Sequence, residues 1–227
     1  MRHRFLICLV VASAFIAGAA LGRFDQGQSV ADTRYAEYQA AAIQIRLPEV
    51  QQPEDYSCGA AALMSILSYY GVGTEDYEIL KERLGTNEED GTNYRKMIAY
   101  AEEVGLKTRT WKWMESSQLA KCLKDRHPVI CSIQAYETEP KKIPDVYYDE
   151  NVNGHYVVAI GFDEQNYYFM DPSLMGRRAF LAKNEFVKRW HDDEGKAKQP
   201  KVLTHLGLEI WKEGGDSAYD HRARRID

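Results

Sequence analysis

Four side chains in this 227-residue chain have the types and spacing needed for nucleophilic chemistry on an acyl group: Gln52, Cys58, His155 and Asp171. A cysteine attacks as thiolate, and a helix N-terminus and a neighbouring imidazolium both stabilise that anion. We therefore predict Cys58 as the nucleophile and His155 as the general base and acid. Asp171 is predicted to accept a hydrogen bond from the other nitrogen of the histidine. Gln52 is predicted to stabilise the oxyanion of the tetrahedral intermediate, together with the backbone N–H of Cys58.

The segments around these residues have patterns that would hold them in place. Residues 58–70 (CGAAALMSILSYY) repeat large side chains at helical spacing, which predicts a helix that begins at Cys58 and ends before Gly71. Residues 155–161 and 167–170 are rich in branched and aromatic side chains, which predicts two strands. If these strands form a hairpin, Asp171 returns to the side of His155, although 16 residues separate them in the chain.

The remaining elements set the predicted fold class. Further helices are predicted over residues 75–84 and 93–104, and from about residue 117 to just before Pro128. Further strands are predicted over residues 43–47, 106–113, 129–134 and 202–211. Because the helices come early in the chain and the strands late, we predict an α+β fold with an antiparallel sheet.

The N-terminus has the pattern of a bacterial export signal. Residues 1–22 begin with two arginines and continue with an uncharged stretch at residues 5–20, which ends in small side chains. A signal peptide is predicted, and an uncleaved anchor that tethers the protein to the membrane is the alternative. The protein is therefore expected in the periplasm, secreted, or held at the inner membrane. Residues 23–41 are predicted to form a linker, residues 42–211 the folded domain, and residues 212–227 a disordered tail.

Composition excludes several classes of ligand. The formal net charge is −5, so the basic surface that nucleic-acid binding requires is not expected. No stretch fits the glycine-rich loops that bind nucleotide phosphates, and no Cys or His spacing is typical of a metal site, so no nucleotide, metal or cofactor is expected. Removal of the signal would leave three cysteines, so at least one thiol is expected to be unpaired. The sequence leaves open whether Cys122 and Cys131 form a disulfide or remain separate thiols.

Three motifs together resemble the bacteriocin-processing cysteine peptidases that act on double-glycine leaders: residues 52–63 (QPEDYSCGAAAL), 154–162 (GHYVVAIGF) and 169–173 (FMDPS). Residues 180–192, with FL, EF and RWHD, resemble the stand-alone branch of that family. The resemblance extends over about residues 42–211. It implies a papain-like fold in which N-terminal helices pack on a mostly antiparallel sheet, and amide hydrolysis through a thioacyl intermediate. It also implies the same roles for the four residues named above.

The sequence therefore predicts an exported cysteine peptidase with a peptide or protein substrate. Transporter-linked members of the family cut after a Gly-Gly pair, and the resemblance extends that preference to this chain as an expectation. Gly154, which leaves space beside His155, and Tyr156 are predicted to contact the substrate. Two alternatives remain open at this point. One is a catalytically silent peptide-binding module on the same fold, and the other is a thiol enzyme that transfers the acyl group or acts on a non-peptide amide.

Overall fold

The computed structural model describes residue 42 and residues 44–136, 153–193 and 202–214. The chain divides into two units, residues 1–37 and residues 38–227, and every described residue lies in the second. The predicted export signal and linker lie outside the described residues, as does the predicted tail apart from residues 212–214. None of the helices in the described ranges combines the length and the apolar character that a membrane span requires.

The described ranges contain five α-helices and eight strands. The helices are α1 (Cys58–Tyr70), α2 (Tyr77–Leu84), α3 (Tyr94–Glu103), α4 (Ser116–Lys124) and α5 (Lys183–Arg189). The strands are β1 (Lys107–Trp111), β2 (Val129–Gln134), β3 (Gly154–Phe162), β4 (Asn166–Met170), β5 (Arg178–Ala182), β6 (His191–Asp193), β7 (Val202–Thr204) and β8 (Gly207–Trp211). A short 3₁₀ helix, Pro172–Leu174, follows β4.

Six of these strands form one sheet in the order β1-β8-β2-β3-β4-β5, and every neighbouring pair is antiparallel. Strands β6 and β7 pair separately. Helix α1 packs on β3 and on the helices α2 and α3. The early helices therefore lie against a late antiparallel sheet, which confirms the predicted α+β fold.

Helix α1 supplies the centre of the core. The three alanines of its first turns, Ala60, Ala61 and Ala62, are fully buried, and their small side chains let the helix lie close to the sheet. The larger side chains that follow at residues 63, 66 and 67 are also fully buried. The helix ends at Gly71, whose φ of 64° lies in the left-handed region that glycine adopts without strain. The predicted bounds of this helix are confirmed.

Strands β3 and β4 form the predicted hairpin. Val158 pairs with Met170 and Ala159 with Phe169, and the register shifts between Ala159 and Gly161. His155 near the start of β3 and Asp171 immediately after β4 thus lie at the same end of the hairpin. This topology is what brings the two residues together.

Two predicted strands differ in the structure. The described part of the predicted strand 43–47 forms none, because the N–H groups of Gln44 and Ile45 both donate to the single carbonyl of Ile160 instead of entering a ladder. Ile45 is nevertheless buried and Arg46 exposed, which explains the alternation in the sequence. The predicted strand 202–211 is two strands, β7 and β8, because His205 between them has a positive φ of 46°.

Candidate active site

Cys58 is the first residue of α1 and is buried, with 8% of its surface exposed. The residue before it, Ser57, makes no side-chain capping bond to the helix, because its hydroxyl oxygen accepts instead from the N–H of Glu54 across 3.3 Å and donates to the carbonyl of the same residue. The N–H groups of the first turn therefore keep their partial positive charge next to the sulfur. The sulfur therefore lies at the positive end of the helix dipole.

Strand β3 runs directly past this sulfur. The backbone N–H of Tyr156 donates to Cys58 Sγ across 3.5 Å, and the side chain of His155, the residue before it, interacts electrostatically with Cys58. His155 is buried, with 5% of its surface exposed. The cysteine and the histidine, which lie far apart in the sequence, are thus in contact in the folded chain.

Asp171 approaches the other side of the imidazole. His155 Nε2 lies 2.8 Å from Asp171 Oδ1, and a carboxylate only accepts, so Nε2 carries a proton and Nδ1 is the nitrogen that faces the sulfur. The same Oδ1 accepts from the N–H of Ser173 at 2.9 Å, and Oδ2 accepts from the hydroxyl of Tyr136 at 2.6 Å. The carboxylate is therefore held on both oxygens.

Electrostatics favour a charged histidine in this pocket. Burial alone would lower the pKa of His155, but the hydrogen bonds with Asp171 and Cys58 outweigh it and raise the pKa to about 9. Burial would likewise raise the pKa of Asp171, but the hydrogen bonds from His155 and Tyr136 hold it below its ordinary value. At neutral pH the site therefore holds an imidazolium beside an ionised aspartate.

Gln52 lies in the loop before α1 and is tied to the turn that follows β4. Its backbone N–H donates to the carbonyl of Pro172 at 3.2 Å, and its side-chain Oε1 accepts from the hydroxyl of Ser173 at 3.0 Å. Its Nε2 donates to the carbonyl of Glu54 at 2.9 Å, which fixes which end of the amide carries the hydrogens. The second N–H of Nε2 can then donate to another acceptor.

A cleft of about 800 Å³ opens beside Cys58. Both residues predicted to contact the substrate, Gly154 and Tyr156, line it. Helix α1 packs tightly against two of the lining residues at Gly59, where an added Cβ would lie 2.7 Å from Thr92 Cβ and 3.0 Å from Tyr156 Cδ2. The glycine after the nucleophile therefore lets the helix lie close to the wall of the cleft.

The sequence profile of the Peptidase C39 family matches residues 46–193, which include the cysteine, the histidine, the aspartate and the glutamine described above. The chain belongs to the peptidase C39 family. This membership confirms the predicted family and the prediction of a cysteine-type peptidase.

Three similar proteins extend the comparison. A probable functional amyloid protease, FapD, of Pseudomonas aeruginosa is 27% identical over 174 residues, which are 74% of this chain and 63% of that protein. This chain therefore spans less than two thirds of that relative. The peptidase domain of Streptococcus ComA, a bifunctional ABC transporter of a quorum-sensing pathway, is 21% identical with a TM-score of 0.53, over 74% of this chain and 98% of that domain. A C39-like peptidase of Bacillus anthracis is 17% identical with a TM-score of 0.55, over 75% of this chain and 97% of its own. The two structures show that the fold is shared, which confirms the predicted papain-like C39 architecture.

Three residues that contact the predicted site or the strand carrying it had not been predicted from the sequence: Tyr136, Ser173 and Asp192. Ser173 stands within the FMDPS motif and Asp192 within RWHD, so both lay in quoted segments but carried no signal of their own. Tyr136 lies two residues beyond β2, the strand that pairs with β3, so an aromatic residue next to the predicted histidine strand was the available signal. Each contact depends on how distant segments pack.

The side chain of Asp192 packs against Gly154, the first residue of β3. Its carboxylate accepts from the hydroxyl of Ser132 at 2.7 Å, and an added Cβ at Gly154 would lie 2.6 Å from both of its oxygens. Burial raises the pKa of Asp192 to about 6, against the lowering effect of the hydrogen bonds from Ser132 and the N–H of Asp193. Because Gly154 has no side chain, the strand that carries His155 can pack directly against the carboxylate of Asp192.

The other cysteines in the described ranges are separate from this chemistry. Cys122 and Cys131 are both free and buried, which settles the alternative left open above in favour of two thiols. Burial raises the pKa of Cys122 to about 12 and that of Cys131 well above its ordinary value, so both are protonated near neutral pH. Within the described ranges, no group of three or more His, Cys, Asp or Glu side chains could hold a metal ion.

Proposed function

We propose that this C39 protein is an exported peptidase in which Cys58, His155 and Asp171 form the catalytic triad and Gln52 donates to the oxyanion. The observation that carries the proposal is that the strand of His155 bonds to Cys58 Sγ through the N–H of Tyr156, while the buried imidazole bonds to Asp171 at 2.8 Å. A cysteine at a helix N-terminus, paired with an oriented imidazolium, is the arrangement that makes a thiol nucleophilic at neutral pH.

In the acylation step, Cys58 Sγ attacks the carbonyl carbon of the scissile bond, and the carbonyl electron pair moves to oxygen. The resulting oxyanion accepts from the backbone N–H of Cys58 and from the second N–H of Gln52 Nε2. His155 gives its Nδ1 proton to the leaving nitrogen, so the C–N bond breaks and an amine is released. A thioester on Cys58 remains.

In the deacylation step, Nδ1 of His155 takes a proton from water, and the hydroxide attacks the thioester. The C–S bond breaks, the acid product leaves and the sulfur recovers its negative charge beside the imidazolium. Asp171 keeps the Nε2–H of the ring directed to itself through both steps, so that Nδ1 always faces the sulfur.

For the substrate, we propose a peptide with a Gly-Gly pair before the cut, as in a leader peptide. The support for this preference is the resemblance of residues 52–63, 154–162 and 169–173 to the peptidases that act on double-glycine leaders. The name of the Pseudomonas aeruginosa relative, a functional amyloid protease, adds an amyloid-forming protein as a second substrate class for this site.

The test is cleavage by the full-length protein of two peptides that differ only in a Gly-Gly to Gly-Phe change, with products read by mass spectrometry. We expect the Gly-Gly peptide alone to be cut, and Cys58→Ser to abolish the products. Cleavage of neither peptide, with retained binding of both, would overturn catalysis in favour of a silent binding module. Products that carry an added amine in place of water would overturn hydrolysis in favour of acyl transfer.

We also propose that residues 1–22 direct export, on the strength of their basic start and the uncharged stretch at residues 5–20. Expression in a bacterium, cell fractionation and mass measurement of the N-terminus test this. A shortened chain in the periplasm or medium supports cleavage, and an intact chain in the inner membrane supports a tether. An intact chain in the cytosol would contradict export.

A further inference from the structure

Tyr136 contacts two members of the proposed triad. Its hydroxyl donates to Asp171 Oδ2 across 2.6 Å. Its ring meets the imidazole of His155 edge to face, with ring centres 5.3 Å apart and planes at 82°. No motif singled out this residue, and it lies two residues beyond the end of β2, the strand that neighbours the histidine strand.

The two contacts differ in what they do. Oδ1 of Asp171 already accepts from His155 Nε2 and from the N–H of Ser173, whereas the hydroxyl of Tyr136 is the donor that the structure gives to Oδ2. A carboxylate held on both oxygens cannot rotate away from the imidazole. The ring of Tyr136 packs edge to face against that imidazole, and Tyr136 is 45% exposed whereas His155 is 5% exposed. The tyrosine is therefore the solvent-facing partner of the pair.

The backbone of Tyr136 supports a specific role. Its φ of 61° lies in the left-handed region, which is unfavourable for a residue with a bulky side chain. Such conformations persist where the surrounding contacts determine them, and they concentrate at functional sites. Here the conformation accompanies a tyrosine that touches both Asp171 and His155.

We propose that Tyr136 is a positioning residue of the catalytic triad, which holds Asp171 in line with His155 through its hydroxyl and shields the imidazole with its ring. The proposal rests on the proposed peptidase function for its effect on turnover. Its effect on the Cys58 and His155 pair needs no peptide substrate, because the rate of thiol alkylation reports that pair directly.

The experiment compares Tyr136→Phe with a matched control, Tyr168→Phe. Tyr168 also donates to a carboxylate, Asp163 Oδ2 at 2.5 Å, but in the turn between β3 and β4. Both variants lose a tyrosine–aspartate hydrogen bond and keep the aromatic ring, so they differ in whether that bond belongs to the site. A third variant, Tyr136→Leu, removes the ring as well.

We expect Tyr136→Phe to lower kcat for peptide hydrolysis by about tenfold, the loss of one hydrogen bond to a charged group, with KM changed less than twofold. The acid limb of the iodoacetamide alkylation rate at Cys58 should move to higher pH, because a loosened Asp171 supports the imidazolium less well. Tyr136→Leu should lower kcat further and move the acid limb of alkylation to still higher pH. Tyr168→Phe should match the wild type in both measurements.

Wild-type kcat and an unmoved acid limb in Tyr136→Phe would overturn the positioning role. An equal change in Tyr168→Phe would overturn it too, since the effect would then be general. If the wild type cuts no peptide but Tyr136→Phe still moves the alkylation limb, the proposed peptidase function fails and the positioning role stands.

Discussion

The backbone N–H of Tyr156 donates to the sulfur of Cys58 across 3.5 Å, although 98 residues separate them. This bond joins the N-terminus of α1 to the strand that carries His155, so the helix and the sheet meet at the nucleophile. It also gives the sulfur a hydrogen-bond donor from the backbone of the sheet. The packing of α1 on β3 and the chemistry of the site therefore depend on the same contact.

The first prediction concerns the oxyanion donor. Gln52→Ala should lower kcat about 10²–10³-fold, as the loss of one preorganised oxyanion donor does elsewhere. The rate of iodoacetamide alkylation at Cys58 should not change, because alkylation forms no oxyanion. Steady-state kinetics and alkylation kinetics measure the two effects. The control is Gln165→Ala, an exposed glutamine in the turn between β3 and β4. If Gln52→Ala lowered the alkylation rate at Cys58 as much as it lowers kcat, Gln52 would not be the oxyanion donor.

The second prediction concerns Ser173, whose hydroxyl donates to Gln52 Oε1. Ser173→Ala keeps the backbone N–H that donates to Asp171 Oδ1, so this substitution removes only the hydrogen bond to Gln52. We expect kcat to fall about fivefold, since a neutral hydrogen bond contributes on the order of 1 kcal/mol. The double variant Gln52→Ala with Ser173→Ala should be no slower than Gln52→Ala alone, because both act through one amide. Fully additive losses would refute this coupling.

The third prediction concerns the alkaline limb of hydrolysis. Hydrogen bonds with Asp171 and Cys58 raise the pKa of His155 to about 9, so the ring holds the proton for the leaving amine until the pH rises through that value. We expect kcat/KM to fall above about pH 9 in a pH-rate profile. Asp171→Asn removes the carboxylate charge, so its limb should lie at lower pH. An unmoved limb in Asp171→Asn would show that another group controls it.

The same shift predicts how stability depends on pH. The folded pKa of His155 lies above its ordinary value of 6.5, so the stabilisation from its charged contacts is present below that value. It should be lost as the pH rises through about 9. Urea unfolding of wild type and His155→Ala at pH 6 and pH 10 measures this, and the gap between them should narrow at pH 10. A gap that widens would contradict the assignment.

The fourth prediction concerns Asp192, whose pKa burial raises to about 6 from an ordinary 3.8. A carboxyl with a raised folded pKa stabilises the fold below its unfolded pKa and loses that contribution as the pH rises through 6. Asp192→Asn should therefore gain stability relative to wild type between pH 4 and pH 8, by roughly 1–3 kcal/mol. Denaturant midpoints of wild type and Asp192→Asn at pH 4 and at pH 8 measure this gain. If the difference in stability between the two proteins were the same at both pH values, Asp192 would not ionise with a shifted pKa.

The sequence predicted those parts of the site that rest on local pattern. Helix α1 has its predicted bounds because its apolar repeat, its alanines and Gly71 all act within a few residues. The β3–β4 hairpin also follows from a short connection, so the approach of Asp171 to His155 could be expected from chain geometry. Membership of the C39 family followed from motifs that are contiguous in the chain.

The rest depends on contacts between distant segments. Tyr136 reaches Asp171 only because β2 lies beside β3, and Ser173 reaches Gln52 only because the turn after β4 packs on the loop before α1. Strand β5, helix α5 and strand β6 were absent from the predicted elements because their segments are short and mix polar with apolar side chains. Periodicity has too few residues to act on in elements of this length.

The central claim is that Cys58 and His155 act as one ion pair, and alkylation of the full-length protein with iodoacetamide at pH 6 tests it most directly. Peptide mapping by mass spectrometry should find Cys58 modified first, with Cys122 and Cys131 unmodified because they are buried and protonated. His155→Ala should slow the modification of Cys58 at least tenfold. Equal, slow modification of Cys58, Cys122 and Cys131, or a rate at Cys58 that His155→Ala leaves unchanged, would contradict the account.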